Sequence, residues 1–340
     1  MASSLLIRTR ADAAYGSGHL RRSICLAEGI RSRLDTAVAL SIAAEMDDTA
    51  PAHAGRAGLD IIPLRPEANL AADLQLVAEI SPDVVLVDLL ELEQERAEAL
   101  RSAGARLAVM ADMGIFPAAA DTAICCQLLP RPPEPTSDSQ SVLYGPDFFV
   151  LDERYASLVP WDKRRGNGRV LVCFGGYCHV QALKLALAAL AQAAAHWSEL
   201  TVVTGKGCPA ELLREAEDLL ADAHVVETTD DMPTLLAQAD LALVAGGFIK
   251  YEAAACGVPA LIISIVDHQL PLSDAFAKSN CAQHLGAVDS LDAGQLAARV
   301  KTLLTDRETW SEMSRRGRDL VDGRGVARIC DHLLSGSHAA

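Results

Sequence analysis

Positive charge is the minority in this chain: 30 Lys and Arg stand against 45 Asp and Glu, a formal net charge of −15. A basic face for nucleic acid is therefore not expected, and neither is docking on an anionic membrane. Anions can still be held locally by backbone amides and a few Arg. CxxC spacing is missing from the nine cysteines, and Cys125 and Cys126 are adjacent. An odd, scattered set argues against a disulfide framework and a structural zinc site, and it suits buried thiols in a reducing cytoplasm. No apolar run has the length of a membrane span. The start, Met1-Ala2-Ser3-Ser4, is polar and leads into a strand, unlike a secretory signal. A cytoplasmic protein is the expectation. GxSxG, the Walker A spacing GxxxxGK[ST] and metal-ligand spacings are all absent, so no metal site is expected. His53, His179, His196, His224, His284, His332 and His338 are isolated along the chain. Of these, His179 is worth testing because it follows Gly176 closely.

What is present is alternation. Half of the 340 residues are apolar, enough to fill the cores of two ordinary domains. Short apolar runs at 5–8, 38–41, 60–63, 84–87, 107–110 and 123–125 read as strands, with helical stretches between most of them. A helix over 19–33 buries Leu20, Ile24, Leu26, Ala27 and Ile30 on one face. Residues 130–142, rich in Pro, Ser and Asp, read as a surface loop, and the polar stretch 161–168 as a linker. The alternation then restarts, with strands at 170–174, 200–204, 223–227, 241–244 and 260–266 and helices at 181–196, 210–221 and 232–237. A helical segment over 307–335 closes the chain. The expected fold is α/β: two Rossmann-like, doubly wound parallel-sheet domains, 1–160 and 168–306, followed by a helical segment, 307–340. Such sheets place ligands at their carboxyl edges, and a cleft between two domains is the default active site.

The most informative stretch is 245–269. A buried strand runs into Gly246-Gly247-Phe248, and a short helix follows. Open amides at that turn favour a phosphate, and Glu252, about one and a half turns on, is placed for two ribose hydroxyls. Gly257 and Pro259 end the helix, and a second apolar strand leads to the polar tip Asp267-His268-Gln269, suited to sugar hydroxyls or to a plain loop. Gly175-Gly176 after the strand at 170–174 would shape a diphosphate pocket or make a tight turn without a ligand. Thr204-Gly205-Lys206-Gly207 would line a base pocket. Gly16-Ser17-Gly18-His19 follows the first strand. His19 there is a candidate general base or an ordinary surface histidine at a turn. Arg22 would reach a phosphate or lie on a solvated face. Asp88 and Asp112 end apolar strands and would face a ligand or cap a helix. Asp12 would order the glycine loop or touch substrate.

Taken together, Arg10-Ala11-Asp12, Gly16-Ser17-Gly18-His19-Leu20-Arg21-Arg22, Val87-Asp88, Asp112, Leu143-Tyr144-Gly145-Pro146, Phe174-Gly175-Gly176 and the Gly246-Gly247…Glu252…Gln269 element, in that order, resemble the GT-B superfamily of nucleotide-sugar enzymes. The pattern looks most like the UDP-sugar hydrolase of pseudaminic acid biosynthesis and its spore-coat polysaccharide relatives. More distantly, it is similar to the lipid II N-acetylglucosaminyltransferase. Three places depart from the hydrolase pattern: Leu89-Leu90 where a tyrosine is usual, His268 where Asn is usual, and Phe248-Ile249-Lys250 where Ser or Thr is usual. In the hydrolase those positions handle the sugar and the attacking water, so the departures favour transfer over hydrolysis. The resemblance implies a metal-independent glycosyltransferase using a UDP-sugar as substrate, with no further cofactor. Glu252 would lie on the ribose, Gly246 and Gly247 on the diphosphate, His268 and Gln269 on the sugar, and His19 would deprotonate the acceptor. That acceptor is expected to be a soluble small molecule, a nucleobase among the candidates, because no basic, apolar patch for a membrane lipid is visible. A UDP-sugar hydrolase and a non-catalytic nucleotide-sugar-binding protein are the alternatives.

Overall fold

In the computed structural model, residues 4–11, 18–33, 39–46, 61–65, 69–157, 168–218 and 223–335 are described. They form two units. The first comprises the described parts of 1–153 and 323–340, the second those of 154–322.

The sheet of the first unit contains β1 (Ser4–Ala11), β2 (Ala39–Met46), β3 (Ile61–Leu64), β4 (Val84–Asp88), β5 (Arg106–Met110), β6 (Thr122–Cys125) and β7 (Ser141–Tyr144). All are parallel, in the order β3-β2-β1-β4-β5-β6-β7. Its helices are α1 (Gly18–Arg33), α2 (Leu70–Ile80) and α3 (Gln94–Ser102). The predicted apolar face of α1 is buried: Leu20, Ile24, Leu26, Ala27 and Ile30 are all at 9 % exposure or less. Each large aliphatic side chain there contributes about 1.5–3 kcal/mol by leaving water. The chain then crosses into the second unit through a short helix, α4 (Arg154–Ser157).

The second sheet contains β8 (Arg169–Cys173), β9 (Glu199–Val203), β10 (His224–Val226), β11 (Leu241–Ala245), β12 (Ala260–Ser264) and β13 (Ala282–Ala287). These are again parallel, in the order β10-β9-β8-β11-β12-β13. Interleaved helices are α5 (Val180–Gln192), α6 (Ala210–Asp218), α7 (Met232–Gln238), α8 (Ile249–Ala255), α9 (Gln269–Ala277), α10 (Ala293–Thr305) and α11 (Arg307–Leu320). Carboxylates cap α10 and α11: Asp292 accepts from the Gln295 N–H at 2.9 Å and Asp306 from that of Thr309 at 3.1 Å.

Three expectations change. The closing segment 307–335 is not one element. α11 ends at Leu320, Gly323 turns the chain at φ +73°, and α12 (Gly325–Leu334) returns to the first unit. Close packing decides this division. A Cβ on Gly317 of α11 would lie 2.9 Å from the Ala254 carbonyl oxygen of α8, and one on Gly29 of α1 would lie 2.2 Å from Val326 Cγ1 of α12. The boundary between units falls at Glu153/Arg154 instead of near 160. The proposed linker, apart from Gly168, lies outside the described residues, as do Asp12, Gly16 and Ser17. Finally, Gln269 is not the tip of a loop but the first residue of α9. In both sheets the chain runs outward to one side and then starts again on the other, so the switch points fall between β1 and β4 and between β8 and β11.

Candidate functional site

The first unit brings together residues that stand far apart in sequence. His19 opens α1, just beyond the carboxyl end of β1, and Asp88 is the last residue of β4. These are the two strands that flank the switch point, where ligands of such sheets bind. His19 Nδ1 lies 2.7 Å from Asp88 Oδ1, with the histidine at 7 % exposure and the aspartate at 0 %. An anionic oxygen at that distance keeps the proton on Nδ1 and leaves Nε2 as the acceptor nitrogen of the ring.

Arg22, one turn along α1, ties the cluster together. It donates to both oxygens of Asp88, through Nε at 3.0 Å to Oδ2 and through Nη2 to Oδ1, and to Asp112 at 2.7 and 3.0 Å. Its Nη2 is also 3.3 Å from His19 Nδ1, and Ser23 Oγ donates to Asp88 Oδ2 at 3.3 Å. Burial pushes the Asp88 carboxyl up, but Arg22 and His19 outweigh it and hold the group well below the usual carboxylate range. Burial likewise lowers the Arg22 value, and Asp112 and Asp88 outweigh it and raise it. Arg22 is therefore no solvated surface residue, and Asp88 caps no helix. Burial, then Asp112, pushes the nearby Cys125 thiol up to about 12, and burial raises Cys126 too, so both stay protonated and inert near neutrality.

A second buried charge cluster escaped the sequence reading. Arg8 of β1 pairs with Glu45 and, at 2.8 Å, with Asp73, which also accepts from Arg96 at 2.7 Å. Each acid has its base, so the group reads as a structural network. The loops after β4 and β5 expose Leu90 (54 %), Met113 (43 %) and Ile115 (84 %) close in sequence to Asp88 and Asp112. That apolar surface was not anticipated.

In the second unit both glycine pairs follow the strands at its switch point: Gly175-Gly176 after β8 and Gly246-Gly247 after β11. Gly175 has φ +122°, a region that disfavours any side chain. A Cβ on Gly246 would meet Ser273 Oγ at 2.4 Å, so α9 packing requires glycine there. Gly247 is different: a Cβ would meet nothing nearer than Gln269 Nε2 at 4.0 Å, and its φ is not positive.

The expected open amide at Gly246 is corrected by its geometry. The Gly246 N–H donates to Gln269 Oε1 at 3.2 Å, and the Ile265 N–H donates to the same oxygen at 3.1 Å. Gln269 thus staples two main-chain segments, because α9 starts one residue too early for it to be a loop tip. Its oxygen is engaged, and its amide nitrogen is the part nearest Gly247. Phe248 precedes α8 and is half-buried, and His268 precedes α9 and is exposed. Glu252, half-buried on α8, accepts a hydrogen bond from the Tyr155 hydroxyl of α4. His179 caps α5, its Nδ1 accepting from the Ala182 N–H at 3.2 Å. His284 is not isolated: it bridges Ser264 Oγ (2.9 Å) and Asp274 Oδ1 (2.7 Å). Ser264 is 1 % exposed, so this Ser-His-Asp arrangement has no accessible nucleophile. A depression of about 840 Å³ lined by Asn280, Gln283, Glu308 and Glu312 opens near the amino end of β13, the opposite edge from the glycine turns. Among the described residues, no cluster of three or more His, Cys, Asp or Glu is placed to hold a metal, and no helix is long and apolar enough to cross a membrane.

Two doubly wound parallel sheets in one chain define the GT-B fold class. The chain superposes on the crystal structure of Acinetobacter baumannii MurG with a TM-score of 0.71 over 98 % of its own length and 99 % of that chain, at 14 % identity. It is similar in sequence to the spore coat polysaccharide biosynthesis protein SpsG of Bacillus subtilis, 30 % identical over 188 residues, 54 % of this chain and 56 % of that one. It is also similar to the UDP-N-acetylglucosamine–N-acetylmuramyl-(pentapeptide) pyrophosphoryl-undecaprenol N-acetylglucosamine transferase of Methylococcus capsulatus, 31 % identical over 172 residues, 48 % of each chain. The chain thus spans about half the length of the curated relatives it matches. No family model matches it.

Proposed function

We propose that this protein is a glycosyltransferase that moves a sugar from a UDP-sugar to a small acceptor. The observation that carries the proposal is the imidazole of His19 held by the buried Asp88 carboxylate at a switch point. An oriented imidazole beside a fixed anion is the arrangement of a general base. The name of the Methylococcus relative, a transferase with UDP-N-acetylglucosamine as donor, supports the choice of donor and of reaction class.

In this scheme His19 Nε2 takes the proton from the acceptor's attacking atom. A bond forms from that atom to the anomeric carbon, the bond from that carbon to the diphosphate oxygen breaks, and UDP leaves with the electron pair. Asp88 stabilises the imidazolium that results. The second unit seats the nucleotide, with Glu252 on the ribose and the main chain around Gly247 and Gly175-Gly176 on the diphosphate, and no metal is required. The exposed Leu90, Met113 and Ile115 favour an acceptor with an apolar face, which a nucleobase or another planar aglycone has.

The test is UDP release from a panel of UDP-sugars, with and without a library of small acceptors. Release that depends on an acceptor supports transfer. Release in water alone replaces transfer by hydrolysis, and UDP binding with no release under any condition leaves a nucleotide-sugar-binding protein. His19→Ala should abolish release while UDP affinity stays within about twofold.

A further inference from the structure

Two half-buried cysteines meet in the second unit. Cys178 lies in the loop after β8, between Gly175-Gly176 and α5, and Cys208 in the loop after β9, just before α6. The loops run side by side. Tyr177 and Lys206 form a parallel bridge, the Lys206 N–H donates to the Gly176 carbonyl oxygen at 2.9 Å, and the Cys178 N–H donates to that of Lys206 at 3.0 Å. Gly205 permits this approach. A Cβ there would lie 2.5 Å from the Tyr177 carbonyl carbon and 2.7 Å from the Cys178 nitrogen, and its φ is +79°. Segments paired in this way lie about 5 Å apart, inside the roughly 4.4–6.8 Å over which a disulfide joins two Cα atoms. The side chains complete the contact, for the two thiols hydrogen-bond to each other.

Both side chains also rest on the core that β8, β9 and α5 build. Any small apolar residue would meet that need, and alanine or valine would bring no reactive atom to the surface. Of the nine cysteines, Cys25 is the other half-buried one and belongs to α1 of the first unit, and the remaining six are buried. Burial, and then the hydrogen bond to Cys208, push the Cys178 thiol up to about 12. It therefore keeps its proton near neutrality and offers it to Cys208, which makes Cys208 the sulfur that attacks first and Cys178 the one that follows.

We infer that Cys178 and Cys208 are a reversible redox site, oxidised by a small disulfide such as glutathione disulfide to a bond that joins the loops after β8 and β9. In the first step Cys208 Sγ gives up its proton and attacks one sulfur of glutathione disulfide. A bond from Cys208 to glutathione forms, the old sulfur–sulfur bond breaks, and one glutathione thiolate leaves. Cys178 Sγ then gives up its proton and attacks Cys208 Sγ, closing the bond between the two cysteines and expelling the second glutathione thiolate. The two protons end on the two glutathiones, and two electrons pass from the cysteines to glutathione disulfide. Partial exposure lets thiols reopen the bond, which sets it apart from a structural disulfide framework. The pairing is independent of what the second unit binds.

Reduced full-length protein is incubated with glutathione disulfide and mapped by mass spectrometry without reduction. The peptides that hold Cys178 and Cys208 should appear linked, two of the nine free thiols should be lost to that link, and dithiothreitol should restore them. Cys178→Ser should stop at a glutathione adduct on Cys208, because the attacking partner of the second step is gone. Wild-type protein that shows no linked peptide, that carries glutathione adducts without closing the bond, or that joins either cysteine to a different one overturns the inference. If Cys178→Ser does not fold, the wild-type map decides alone. UDP plays no part in the readout, so the nucleotide-sugar reading stands or falls separately.

Discussion

Replacing Asp88 by Asn is the sharpest probe of the first unit. The change preserves shape but removes the charge that accepts from His19 Nδ1 and from Arg22. The carboxamide can present its NH₂ to Nδ1, and the ring then moves its proton to Nε2, the nitrogen that must act as base. Loss of a correctly oriented base costs about 10²–10⁴ in kcat, roughly 3–5 kcal/mol of transition-state stabilisation. Stability should fall less than for a fully orphaned buried charge, because Arg22 keeps Asp112 at 2.7 Å. We expect about 1–3 kcal/mol, read from chemical denaturation. The assay is acceptor-dependent UDP release alongside UDP calorimetry. Because Asp88 belongs to the first unit and the glycine turns to the second, kcat should collapse while UDP affinity stays. Unchanged kcat in a folded variant, or parallel loss of kcat and UDP affinity, would refute the assignment of His19 as an oriented base.

Other expectations follow from single contacts. Tyr155→Phe removes the hydroxyl that engages Glu252 and should weaken UDP binding about three- to tenfold with little change in kcat; unaltered binding would detach Glu252 from the ribose. Gly175→Ala meets no atom within 4 Å yet forces a side chain onto φ +122°, so strain alone should cost about 1–3 kcal/mol and lower the melting temperature by several degrees. An unshifted melt would contradict that. His332 of α12, 3.2 Å from Thr122 Oγ1, has its pKa lowered by burial and then by Arg106. The folded state therefore prefers the neutral ring and the unfolded chain binds more protons. Its contribution is present above the unfolded value of about 6.5 and is lost as pH falls through the lower folded value. His332→Gln should flatten the fall in stability between about pH 7 and pH 5, and an identical slope in the variant would rule His332 out as its source.

Much of the fold was legible because its signals are local. Buried strands of parallel sheets are short apolar runs, and Val84–Asp88, Leu241–Ala245 and Ala260–Ser264 were found within a residue or two. The apolar stripe of α1 was read side chain by side chain. The helices α9 and α10 and strand β13 were not singled out. Gln269 looked like a loop tip because a polar triplet after a strand is locally indistinguishable from a polar helix start. The glycine turns, His19 and the strand-end carboxylates Asp88 and Asp112 were nominated residue by residue, but the pairing of His19 with Asp88 was not. Arg22 was as readily a surface residue, since nothing in a helix of mixed composition says which arginine two distant aspartates will enclose. Cys178 and Cys208 went unpaired because nothing local says that the loops after β8 and β9 will touch.

By itself the amino-acid order determined the alternation of strands and helices, the doubling of the sheet and the places where glycine interrupts it. Those features depend on the periodicity of neighbouring side chains and on backbone freedom, which act over a few residues. Tertiary structure decided which glycine amide is already used by Gln269, which arginine clamps Asp88 and Asp112, and where the last helix returns. Such choices depend on groups brought together from 23 to nearly 300 positions apart. Their energies come from burial and hydrogen bonding that exist only once the sheets have formed.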